Sequence, residues 1–191
     1  MVGMRTWAVA AAAATVLAVG GCGTDAGSEA AAGLPTDAAP PAPAPVVTEP
    51  PCPEGGLAVT GEEPDAAMGL RAMAVYVTNC GKSPRTVEGY PRTYVLDKAR
   101  ERLKVTVHQG LSITTGIDDP APTRIELRPG QRALTVLVWR NTVTDITVAA
   151  STGEYLEITP VKDAPPQRVT MMVDLGTTGK LDVTAWRRPA A

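Results

Sequence analysis

The chain has 191 residues, a formal net charge of −2 and no Phe. The basic excess that nucleic-acid binding demands is missing, which excludes that class of partner. Its abundance of Ala, Gly and Pro, with Arg favoured over Lys, reads as genome composition rather than as a functional signal.

Taken from the start, MVGMRTWAVAAAAATVLAVGGC carries one positive charge at Arg5, then an uncharged, largely apolar run, then small residues. That order is a secretory signal over residues 1–21. The apolar run, about thirteen residues, is too short for a transmembrane helix. Val19-Gly20-Gly21-Cys22 resembles the lipobox of bacterial lipoproteins, which makes Cys22 the first mature residue and the site of lipidation. The other reading, an ordinary signal peptide with an unconnected cysteine, leaves an exposed thiol in an oxidising compartment. The expected location is the extracytoplasmic face of a bacterial membrane, with the bilayer itself the first partner.

Residues 23–51 are almost wholly Ala, Pro, Gly, Thr and acids, with Asp25, Glu29, Asp37 and Glu49 and no base. With almost no large apolar side chains to bury, residues 22–51 are expected to be a disordered tether. At roughly 3 Å per residue in polyproline conformation, the tether reaches up to about 90 Å. Residues 52–191 then form one domain, large enough for a single core, with 17 basic against 16 acidic residues.

Three cysteines are present, and assigning Cys22 to lipid leaves Cys52 and Cys80. In an exported domain the default is a disulfide. A loop of about 28 residues gives roughly 3.5 kcal/mol of chain-entropy stabilisation. A metal or redox site finds no support, since there is no CxxC and His108 is the only histidine.

Short β-branched runs bounded by Gly, Pro and Asp recur through the domain: 57–60, 70–79, 85–88, 93–97, 103–109, 124–128, 132–140, 155–160, 168–174 and 181–186. This pattern predicts an all-β, antiparallel sandwich. Arg128-Pro129-Gly130-Gln131 has a type II turn signature and is expected to join its flanking strands as neighbours. Residues 175–180 read as the loop of a final hairpin. The nearly continuous apolar run RALTVLVW predicts a central strand covered on both faces.

The order of Cys52, Thr78-Asn79-Cys80-Gly81, Gly89-Tyr90-Pro91, Val95-Leu96-Asp97, Leu127-Arg128-Pro129-Gly130, Val138-Trp139 and Trp186 resembles the actinobacterial domain-of-unknown-function family 4232. The resemblance spans essentially all of 52–191. It implies a secreted or lipid-anchored protein with an immunoglobulin-like β-sandwich, and it implies no chemistry. Many members carry a cysteine just before the GYP segment, where this chain has Arg85; here Cys80 fills the pairing role.

Catalytic signals are sparse. Ser83, Ser112 and Ser151 are the domain's serines, none in a GxSxG setting, so a nucleophilic triad with His108 is not expected. Asp118-Asp119-Pro120 reads as a turn rather than a calcium site, and no metal or cofactor is expected. Lys98, Arg100, Arg102 and Lys104 form a candidate surface for anionic wall polymers or headgroups; the plainer reading is a solvated hairpin turn and edge strand. Tyr76, Tyr90, Tyr94, Trp139, Tyr155 and Trp186 can line a groove, but a core without Phe needs most of them for packing. The expected function is a noncatalytic binding or interaction module that meets a cell-wall polymer or an envelope protein. The alternatives are an envelope hydrolase using unlocated carboxylates and a structural spacer or accessory subunit.

Overall fold

The computed structural model describes residues 51–190. The expected signal sequence, Cys22 and nearly all of the expected tether therefore lie outside the described residues. Eleven strands and no helix make up the domain: β1 (Leu57–Gly61), β2 (Asp65–Ala67), β3 (Leu70–Asn79), β4 (Arg85–Val87), β5 (Arg92–Leu96), β6 (Thr106–Gln109), β7 (Ile125–Leu127), β8 (Arg132–Arg140), β9 (Ser151–Thr159), β10 (Gln167–Gly176) and β11 (Lys180–Val183). One sheet has the order β1-β3-β8-β11-β6, with β2 extending the β1 side of β3; a second has β10-β9-β5; and β4 pairs with β7.

The two larger sheets face each other across one core. Period-2 alternation decides what enters it: Met73, Val75 and Val77 from β3, Leu156 and Ile158 from β9, and Val173 and Leu175 from β10 are all fully buried. Each such side chain contributes about 1.5–3 kcal/mol by leaving water. Trp139 and Trp186 supply the bulk that Phe would otherwise give. Their indole N–H groups are satisfied by Asp174 Oδ1 and the Pro160 carbonyl, both at 2.9 Å. The central β8 is buried on both faces, as its sequence predicts. On the outer face, the buried Asp182 carboxylate accepts from the Ser112 and Ile113 amides and the Ser112 hydroxyl, pinning that loop to the sheet.

Cys52 and Cys80 form the expected disulfide, with Cα atoms 5.7 Å apart. Beside it, the fully buried Asn79 donates to the Leu127 and Ser83 carbonyls and accepts from the Gly81 amide.

Four local expectations are corrected. The 128–131 turn forms, with Gly130 at φ 79 and Gln131 donating to the Arg128 carbonyl, but β7 and β8 lie in different sheets. The cause is Asn79: its carbonyl accepts from Gly130 and its amide donates to Gln131, so the chain leaving the turn is captured along β3. Residues 175–180 do not close a hairpin, because β10 and β11 also belong to different sheets. Gly176, at positive φ, lies so close to the Thr142 backbone that a Cβ would overlap it, and Thr177 donates to the Thr142 carbonyl. That contact delivers β11 to β8. The sandwich is not wholly antiparallel, since β6 runs parallel to β11. Finally, the 103–109 run becomes a strand only from Thr106, because Leu103 first donates to the Val95 carbonyl of the other sheet before the chain crosses over. The hairpin of β2 with β3 has no apolar alternation to announce it; it turns on Met68 and Gly69, both at positive φ.

The two flanks of the sandwich differ. On one, the edge strands β1 and β10 are stitched together by Gln167, whose side chain donates to the Leu57 carbonyl at 2.7 Å and accepts from the Val59 amide at 2.9 Å. On the other, no strand pairing joins the edges β5 and β6.

Candidate functional site

The gap between β5 and β6 is an open groove of about 910 Å³. Val105 and Val107, on the inward face of the crossing segment, form an apolar floor, and Pro91, Pro160 and Val161 extend it. Tyr90 and Tyr94 also line the groove, the Tyr94 ring lying beneath Arg102. The rim carries Arg85, Arg92, Arg124 and Lys162 against only Glu88 and Asp163. None of these six charges is in an ion pair among the described residues. Arginine forks on an apolar bed suit the recognition of carboxylate or phosphate groups.

Thr93 also lines the groove. It is 3% exposed, and among the described residues its hydroxyl is the one buried side-chain polar atom with no hydrogen-bond partner. Buried hydroxyls are almost always satisfied, and leaving one bare costs about 1–3 kcal/mol.

The basic cluster expected from sequence lies beyond this groove. Lys98 and Arg100 sit in an exposed turn closed by Asp97, with Arg100 at φ 66. Arg102 is engaged: it pairs with Glu157 at 2.7 Å and stacks 3.6 Å over the Tyr94 ring. The Glu157 hydrogen bond raises its pKa further above the ordinary guanidinium value. Lys104 is exposed in the crossing segment. The four cations thus follow the β5 hairpin, with Arg102 already neutralised by its acid.

The aromatics divide as their chemistry suggests. Trp139 and Trp186 are core; Tyr76, Tyr94 and Tyr155 lie beneath Arg132, Arg102 and Arg100; and Tyr90 and Tyr94 line the groove. His108 and Ser112 both lie near Asp182 without forming a relay. Ser112 Oγ bonds the carboxylate at 3.0 Å, while His108 Nδ1 bonds the Gly110 carbonyl at 3.0 Å. Asp119 accepts from the Leu111 amide and Asp118 from Arg187 through its carbonyl, so both residues are held within an irregular loop. No group of three acids, His or Cys among the described residues can hold a metal ion.

Sequence reasoning missed Thr93, Arg92, Arg124 and Lys162. One signal was present: Thr93 shares the inward parity of Val95, so a polar residue stands at a core-facing position. The cations come from three distant segments and carry no joint signature in the chain.

Fold and groove together define a disulfide-stapled, all-β sandwich with one flank closed and one open. The chain belongs to the family described as Domain of unknown function (DUF4232), which it matches over residues 52–187. No curated protein matches the chain.

Proposed function

We propose that this is a noncatalytic binding module, tethered through Cys22 to the extracytoplasmic face of the bacterial membrane, whose β5–β6 groove takes an anionic partner from the envelope. The observation that carries the reading is an open, apolar-floored groove rimmed by four cations, none of them in an ion pair among the described residues. An enzyme would need a nucleophile or acid–base pair in reach of one another; Ser112 and His108 are each bonded elsewhere, which favours binding over hydrolysis.

Photo-crosslinking in intact cells tests this. A crosslinking residue replacing Tyr94 should give a discrete adduct that disappears when Arg92 and Arg124 are reversed to Glu. An equal yield from a crosslinker at Met68, far from the groove, refutes the assignment. The anchor is tested by palmitate labelling, which Cys22→Ala should abolish.

A further inference from the structure

Resting on that reading of the groove, we propose that its occupant is an extended, acidic peptide segment of a partner protein, which adds to the free edge of β5 as a further strand.

In an antiparallel ladder, the N–H and C=O of alternate residues face the same neighbour. β5 pairs with β9 on one side, and the Val95 carbonyl faces away from β9, accepting from Leu103. Thr93, two residues earlier, therefore turns its own N–H and C=O to that same outer side. No backbone bond meets them there among the described residues. The hairpin through Arg102 and Leu103 covers the edge at Val95 and Leu96 and then leaves for the other sheet. From Arg92 to Tyr94 the edge is open and lies along the groove.

An incoming strand finds a free donor and a free acceptor at one residue, Thr93. This is the main-chain recognition of β-augmentation, in which backbone bonds give affinity and alternate side chains give specificity. Acidic side chains on that strand meet Arg92, Arg124, Arg85 and Lys162, while intervening apolar ones rest on Val105 and Val107. A polysaccharide satisfies the cations but has no alternating N–H and C=O to match the edge.

Fluorescence anisotropy on the full chain in detergent micelles tests this, using an eight-residue labelled peptide that alternates Glu and Val. Its comparators are the same peptide N-methylated at alternate amides, its Lys-for-Glu counterpart, and polygalacturonate as an anionic chain without a peptide backbone. Saturable binding by the Glu-Val peptide is expected, weakened about tenfold or more by N-methylation, by the Lys exchange and by Arg92→Glu with Arg124→Glu. The doubly reversed protein should melt as the wild type does, since both arginines are exposed, which excludes loss through misfolding.

Equal binding of the N-methylated peptide, or binding of polygalacturonate but not peptide, overturns strand addition and leaves the groove assignment standing. No detectable peptide binding, with none by polygalacturonate, overturns the proposal outright. Binding that ignores the Arg92 and Arg124 reversals overturns both.

Discussion

The two flanks of this sandwich solve the same edge problem in opposite ways. β1 and β10 end in a side-chain suture: Gln167 stands in for a missing strand, the disulfide locks the loops preceding β1 and following β3, and Asp174 ties the sheets together by accepting from Arg71 and Trp139 at 2.9 Å. β5 and β6 receive no suture, and the hydroxyl left bare between them costs stability. An edge strand that is neither paired nor covered is a liability in a soluble domain. Where one flank is stitched so thoroughly, the open one is best understood as a kept opening.

Breaking the closed flank should therefore cost stability, while tightening the open one should raise it. The largest effect is expected from Cys52→Ser with Cys80→Ser, about 3.5 kcal/mol by loop entropy, seen as a lower urea midpoint. Asp174→Ala should follow at about 2 kcal/mol, since it strips the acceptor from the buried Trp139 N–H.

The Asp174 contribution is also pH-dependent. Burial pushes its pKa up, but the Trp139 and Arg71 hydrogen bonds and the Arg71 charge outweigh that, so the folded value lies below the ordinary 3.8. A depressed carboxyl stabilises the fold fully above the unfolded pKa, and the contribution is lost as pH falls below about 3.8 towards the folded value. Melting curves of wild type and Asp174→Asn should accordingly be furthest apart near neutrality and converge in acid.

Gln167→Ala removes partners from one amide and one carbonyl at partly exposed edges and should cost about 1–1.5 kcal/mol. On the open flank the sign reverses: Thr93→Val replaces an unsatisfied hydroxyl with an isosteric methyl and should stabilise by up to about 1 kcal/mol. A destabilised Thr93→Val would show that the hydroxyl is not a cost, and would remove the contrast between the flanks.

How much of this was legible depends on the range of the interaction. The alternation in 70–79 and the continuous apolar run in 132–140 are local patterns, and those strands appear where the patterns place them. Cys52 and Cys80 were paired by elimination and by compartment, and the bond is present. The partner of each strand was harder, because a turn fixes only direction. Pro129-Gly130 makes its turn, yet Asn79, about fifty positions away, decides which sheet the next strand joins. The basic run 98–104 drew notice because its charges are adjacent in sequence, but Arg102 is spent on Glu157. The cations that do converge come from segments around 85–92, 124 and 162.

What the sequence determined by itself is the all-β class, the disulfide and the identity of the central strand, since each follows from composition, spacing or the pattern of apolar residues. Only the tertiary structure decided which flank closes and which stays open. Sheet order, the parallel β6–β11 pair and the bare Thr93 hydroxyl are set by contacts between residues far apart in the chain, and hydrophobic alternation is the same whichever neighbour a strand finds.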